Sequence, residues 1–125
     1  MKSLVLESWL LLLRFERIMR SHEFRELHRT VLEAPARPTT EAEPVPSEHL
    51  SNAMDYACVF YFKRVLCLQR SAATTLLLRR HGWNAEMVIG TQMLPFNSHA
   101  WVELDGKIVN DKPYMLEIYQ ELERC

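Results

Sequence analysis

The stretch from Cys67 to Met93, CLQRSAATTLLLRRHGWNAEMVIGTQM, changes its hydrophobic period at Gly82. Before the glycine it reads as a helix running from Cys67 to His81. No charge falls between Ser71 and Leu78, and a helix uncharged around its circumference is usually central and buried. Gly82 supplies the C-terminal stop. After it, Met87 to Met93 is a short apolar run with Val88, Ile89 and Thr91, which reads as a strand. Pro95 and Asn97 mark a turn, His99 to Leu104 alternates, and Asp105-Gly106 is a hairpin signal. Lys107 to Asp111 is then the returning strand, and Met115 to Glu123, beyond Pro113, reads as a last short helix.

Working back toward the N-terminus, Ser47 follows Pro46 as a plausible N-cap. From it a helix runs through Met54, Tyr56, Cys58 and Phe60 to about Arg64. Residues 34–46 carry Pro35, Pro38, Pro44 and Pro46, which makes them a linker or irregular loop. Residues 3–33 contain no Gly or Pro and read as helix, with Leu11, Phe15, Ile18 and Met19 forming one apolar stripe. Helices come first and strands follow as an antiparallel group, which argues α+β. The expected organisation is one domain over 1–125: an N-terminal helix at 1–33, the Pro-rich segment at 34–46, and a core at 47–125. In that core the helix headed by Cys67 packs on a small antiparallel sheet at about residues 86–111.

Composition removes several classes. The chain has 125 residues, 48% hydrophobic and 25% charged, which suits one globular domain and excludes a disordered chain, a collagen-like repeat and a polytopic membrane protein. A net charge of -1 disfavours a surface built to track nucleic acid. Three Cys suit a reducing compartment rather than a disulfide scaffold. Three Gly exclude a Gly-rich phosphate loop. The histidines (22, 28, 49, 81 and 99) show no metal-ligand spacing, so neither metal nor cofactor is expected. Leu4 to Leu13 is too short to span a bilayer, carries Glu7, and is not followed by a small-residue cleavage site. It reads as a helix of a cytoplasmic protein. The charge is uneven: Tyr56 to Ala85 holds Lys63, Arg64, Arg70, Arg79 and Arg80 with no acid.

The chemistry lies in a Cys at a helix start, a His at a strand start and an Asp ending the next strand. Cys67 opens the buried helix, where free N–H groups and the helix dipole favour a thiolate and can hold an oxyanion. The basic block around it acts in the same sense. His99 would be the general base and acid, with an acidic or amide side chain to orient it. A three-residue hairpin loop, with Gly106 in a bulge, sets Glu103 against Lys107 and His99 against Asp111, and is the preferred register. A two-residue Asp105-Gly106 turn would pair Leu104 with Lys107 and leave Asn110 on the His99 face. Arg70 and Trp101 are candidate substrate-binding residues, although Arg70 could equally hold the helix to the sheet and Trp101 could shield the His99–Asp111 pair. Ser71 reads as packing. Gln69 points away from Cys67 by about 200° and is not assigned to the oxyanion hole. Cys58, in an apolar helix, and Cys125, at the last residue, read as inert thiols.

The segments Cys67-Leu-Gln-Arg-Ser, Arg79-Arg-His-Gly-Trp, Val88-Ile-Gly, His99-Ala-Trp-Val-Glu-Leu-Asp-Gly and Val109-Asn-Asp resemble the lasso-peptide leader peptidases. These belong to the transglutaminase-like branch of the papain-like cysteine protease superfamily. The likeness is specific from Cys67 to Asp111 and looser at Trp9-Leu-Leu-Leu-Leu-Arg. It implies a papain/transglutaminase-like core with Cys67 as nucleophile, His99 as general base and Asp111 completing the triad. It implies removal of the leader from a ribosomally made precursor, commonly after a leader whose penultimate residue is Thr. Some members carry a fused leader-binding winged-helix domain. The residues before Cys67 show no strand pattern for one, so a separate leader-binding protein is expected, with an ATP-dependent lasso cyclase acting on the released core. The alternatives are a transglutaminase-like acyl transferase or cyclase using the same triad, and a non-catalytic leader-binding adaptor.

Overall fold

A helix with no charged position from Ser71 to Leu78 needs cover on every side, and the architecture supplies it. The computed structural model describes residues 2–21, 24–35, 45–93, 96–110, 115 and 119–125. Helix α4 (Cys67–Arg80) is packed by α1 (Lys2–Ser21), α2 (Phe24–Glu33) and α3 (Ser47–Val59), and by strands β1 (Ala85–Met93) and β2 (Phe96–Leu104). Every residue from Ser71 to Arg79 is buried. Strands β3 (Lys107–Ile108) and β4 (Gln120–Arg124) complete an antiparallel sheet of order β3-β2-β1-β4. Four helices followed by an antiparallel sheet is the expected α+β class.

The core forms where the helices meet one face of the sheet. Leu11, Leu12 and Phe15 of α1, Leu50 and Met54 of α3, and Leu76, Leu77 and Leu78 of α4 enclose Met87, Ile89, Ala100 and Val102. Each fully buried Leu contributes about 1.5–3 kcal/mol. At the C-terminal end of α4 the chain reverses through Gly82, whose φ is +91°. The Trp83 N–H donates to Leu78 O at 2.9 Å and the Gly82 N–H to Arg79 O at 3.2 Å, closing the last carbonyls as expected of a glycine stop.

Four expectations are corrected. The helix read across 3–33 is two helices, α1 and α2, with residues 22–23 outside those described. A continuous helix of that length would run about 46 Å at 1.5 Å per residue, beyond the width of a small domain. Starting a second helix lets Leu27 and Val31 reach the same core as Leu11 and Phe15. Helix α3 ends at Val59 rather than near Arg64, and Pro46 rather than Ser47 is its N-cap. The aromatic and β-branched run that follows favours helix poorly, and Tyr61 leaves the helix to bury its ring while Phe60 and Phe62 stay exposed. The helix expected over 115–123 does not reach its far end: Met115 is helical and residues 116–118 lie outside those described, but Gln120–Arg124 forms β4 beside β1, with a bulge opposite Ile89/Gly90. The hairpin takes the two-residue turn, pairing Leu104 with Lys107 and Glu103 with Ile108. Asp105 and Gly106 have φ of +52° and +79°, the left-handed pair whose twist matches the flanking strands. The Pro-rich segment from 36 to 44 lies outside the described residues, as do Pro95 and Pro113.

The polar groups inside this core are tied. Gln69 Nε2 donates to Leu12 O at 2.8 Å, joining the first turn of α4 to α1. Beside it Glu16 is 7% exposed and receives Lys63 Nζ at 3.1 Å, with Arg20 Nε at 3.3 Å and the Tyr61 hydroxyl at 3.4 Å. Burial pushes the Glu16 carboxyl up, but Lys63, Arg20 and Tyr61 together outweigh it and hold the group below its ordinary 4.5. A lowered folded pKa contributes stability above about pH 4.5 that is lost as pH falls. Glu16→Gln is therefore expected to cost about 1–2 kcal/mol at neutral pH, with Lys63 and Arg20 half in water. Urea unfolding from pH 7 to pH 3 should show the gap between the two proteins closing below about pH 4.5. A constant gap would remove Glu16 from this role.

Candidate active site

Helix α4 begins at Cys67 with Leu66 as N-cap, and no side chain caps it. The first backbone bond of the helix runs from the Arg70 N–H to Leu66 O at 2.9 Å. The N–H groups of Cys67, Leu68 and Gln69 thus precede the first intrahelical bond. Cys67 is exposed at this end. The rotation of α4 aims it. With Gln69 turned to α1, Ser71 faces the sheet and donates to Ala100 O at 3.0 Å. Cys67 lies one turn before Ser71, about 40° around the helix axis, and so overlooks the same part of β2. There Phe24, Cys67, Leu68, Ile89, Ser98, His99 and Ala100 line one cleft of about 160 Å³.

His99 alternates with Ala100 and belongs to the sheet face away from the main core, where it is half-buried. Its ring stacks on Tyr119 with centroids 5.5 Å apart and planes at 24°, and on Trp101 at 6.3 Å. Trp101, fully buried, forms a second small core with Val88 and Met115. Its indole N–H donates to Glu103 Oε2 at 3.0 Å, and Glu103 Oε1 receives Arg124 Nη1 at 2.9 Å. Gly90 pairs with His99 across the sheet. A Cβ on Gly90 would come within 2.7 Å of the Trp101 ring and 2.8 Å of Tyr119 Cβ, so only glycine lets both rings close over the strand. The sequence pattern points to His99 and Trp101 but not to Tyr119 or the need for Gly90, because the segment bearing Tyr119 reads as a helix.

Cys67 and His99 both line this cleft, with the His99 ring turned toward Tyr119 and Trp101, while Asp111 lies outside the described residues. The register expected to set Asp111 against His99 is not the one formed. Asn110, the residue that the shorter turn offered to His99, is used elsewhere. Its Oδ1 accepts from the Val102 N–H at 2.7 Å and its Nδ2 donates to Ser71 Oγ at 3.2 Å. This closes the ladder where β3 ends and pins α4 to β2. Arg70 Nη2 binds Asp55 Oδ1 on α3. Three more cations of the basic block are engaged, Lys63 with Glu16, Arg80 with Glu7, and Arg79 with the carbonyls of Val31, Ala34 and Ala85, while Arg64 is exposed. Among the described residues no group of His, Cys, Asp and Glu could hold a metal ion. Nor is any described helix long and apolar enough to cross a membrane.

A buried helix headed by an exposed Cys and packed on a small antiparallel sheet is the fold expected above. The family model described as the transglutaminase-like superfamily matches residues 9–124, and the chain belongs to that superfamily. A curated relative is the microcin J25-processing protein McjB of Escherichia coli, 43% identical over 49 residues. That match covers 39% of this chain and 24% of the relative, so the chain spans about a quarter of its length. No solved structure matches.

The thiols differ in access. Burial pushes Cys58 up, and pushes Cys125 up to about 11, whereas Cys67 stands in water. Brief treatment with iodoacetamide at pH 7.5, read by peptide mass spectrometry, should alkylate Cys67 well before the other two. Equal labelling of all three would contradict this packing. For the opposite face, Gly90→Ala should lower stability by about 1–3 kcal/mol through overpacking. An unchanged urea midpoint would mean that Trp101 and Tyr119 do not close on Gly90.

Proposed function

We propose that this chain is a cysteine endopeptidase that removes the leader peptide from a ribosomally made lasso-peptide precursor. The observation that carries the reading is the exposed Cys67 at the uncapped start of a buried helix, sharing a cleft with His99. Membership of the transglutaminase-like superfamily and the partial likeness to a microcin-processing protein support it.

The reaction follows from the arrangement. His99 accepts the Cys67 thiol proton, and Sγ attacks the carbonyl carbon at the leader–core junction. The developing oxyanion takes hydrogen bonds from the first-turn N–H groups of α4. The C–N bond breaks, His99 returns the proton to the leaving amine of the core, and the leader remains as a thioester. Water, deprotonated by His99, then attacks the thioester and releases the leader acid. Asp111 is proposed to orient His99. A cleft of about 160 Å³ reads little of a long peptide, which favours presentation of the precursor by a separate leader-binding protein. A lasso cyclase would act on the freed core.

The test combines the chain, its precursor and the leader-binding protein, with products followed by mass spectrometry. Cys67→Ala should abolish cleavage. His99→Ala should lower kcat by about 10²–10⁴-fold, and Asp111→Ala should cause a smaller loss. Normal turnover by Cys67→Ala would overturn the reading. A new amide in place of a hydrolysed leader would make the chain an acyl transferase instead. Absent cleavage together with an unreactive Cys67 would leave a leader-binding adaptor.

A further inference from the structure

The cleft at Cys67 takes one wall from outside the helix–sheet pair. Phe24, the first residue of α2, lines it and remains 51% exposed. Its position is supported along the whole of α2. Arg79 donates through Nη1 to Val31 O and Ala34 O at the far end of that helix. In the middle, His28 Nε2 lies 3.3 Å from Glu123 Oε1, off hydrogen-bonding geometry. The Phe24 ring itself rests 5.9 Å from that of His28. Phe24 is thus held at the cleft by contacts made elsewhere on its helix, which leaves its ring face available.

The rest of the lining sets the chemistry. Leu68, Ile89 and Ala100 add carbon beside Ser98 and His99, and among the described residues no carboxylate, lysine or arginine lines the cleft. The nearest cation on α4, Arg70, is tied to Asp55. With Phe24, Leu68, Ile89 and Ala100 on its walls, the cleft favours carbon over a charged group. The volume of about 160 Å³ corresponds to about five waters at about 30 Å³ each. That is room for an aliphatic group of four or five carbons.

We propose that Phe24 is a specificity-determining residue that makes this cleft the subsite for one aliphatic side chain flanking the bond cleaved at Cys67. The inference rests on the peptidase reading for the identity of its occupant. The cleft's preference can be measured without turnover.

The experiment compares second-order rates of Cys67 alkylation in the full chain by iodoacetamide, N-isobutyl iodoacetamide and iodoacetate. In the unaltered protein the isobutyl reagent should react faster than the parent by on the order of tenfold, and iodoacetate more slowly than either. Phe24→Ala and Phe24→Gln should bring the isobutyl advantage close to one, with the iodoacetamide rate within about twofold of the starting value. Phe24→Leu should keep most of the advantage, which separates loss of the wall from loss of the fold. No isobutyl advantage in the unaltered protein, or the same advantage in Phe24→Ala, overturns the proposal, and so does a Cys67 that reacts with none of the reagents. A Phe24-dependent advantage in a chain that fails to cleave its precursor upholds the subsite and overturns the peptidase reading. A flat ratio with cleavage intact does the reverse.

Discussion

The Gln69 amide, donating to Leu12 O at 2.8 Å, fixes the rotation of α4, and the site inherits that rotation. Helix α4 is buried from Ser71 to Arg79, so its polar groups need partners inside the protein. Thr74 and Thr75 donate to the carbonyls of Arg70 and Ser71 at 2.8 Å. Ser71 donates to Ala100 O and accepts from Asn110. Arg79 donates to three carbonyls, two of them belonging to the end of α2. The threonine bonds stay within the helix, whereas those of Gln69, Ser71 and Arg79 reach other elements and restrain different sides of it. Together they leave one orientation, and in that orientation Cys67 faces β2. Burial of the helix and placement of Cys67 are therefore one constraint.

The sheet answers with two unlike faces. Toward α4 it offers Met87, Ile89, Ala100 and Val102, which complete the core. The far face is small and aromatic, with Trp101 under Gly90 and Tyr119 against His99. Strand β4 holds this second layer in place. Its Arg124 reaches Glu103 behind the indole, with Glu121 on the other end of the guanidinium at 2.6 Å. The paired carboxylates push Arg124 above its already high ordinary value, so the bridge stays charged at any working pH. A residue at the chain's end thus stabilises the layer that packs behind His99.

The sequence showed α4 most clearly, because a charge-free stretch followed by Gly82 has one reading. Cys67 and His99 were legible from their places at a helix start and on an alternating strand. Three things were not. The break after Ser21 carries no Gly or Pro, and is forced by the need of Leu27 and Val31 to meet a core whose position only the tertiary structure gives. Gln120–Arg124, composed of Gln, Glu, Leu and Arg, has the propensity of a helix and becomes a strand because β1 has an edge to pair, a tertiary override of local preference. The hairpin register turned on whether facing charges or turn geometry would dominate. An exposed Glu–Lys pair across a strand is worth only a few tenths of a kcal/mol. The two left-handed residues Asp105 and Gly106 decided it, and with them the use of Asn110.

Charge patterning needs the same correction. The acid-free segment around Cys67 looks like a field that could draw an acidic peptide toward the nucleophile. In the structure Lys63 faces Glu16, Arg70 faces Asp55, Arg80 faces Glu7, and Arg79 is buried against carbonyls. These cations tie one helix to another rather than standing free over the cleft. Long-range steering, which needs uncompensated charge of one sign around a site, is correspondingly weak here. On the proposed peptidase reading, selection of a peptide would then fall to short-range contact in a cleft of about 160 Å³, where one side chain can be tested for size. Such a site would distinguish neighbours of the cleaved bond better than one long peptide from another, and its accuracy on a precursor would depend on something else holding the rest of the chain.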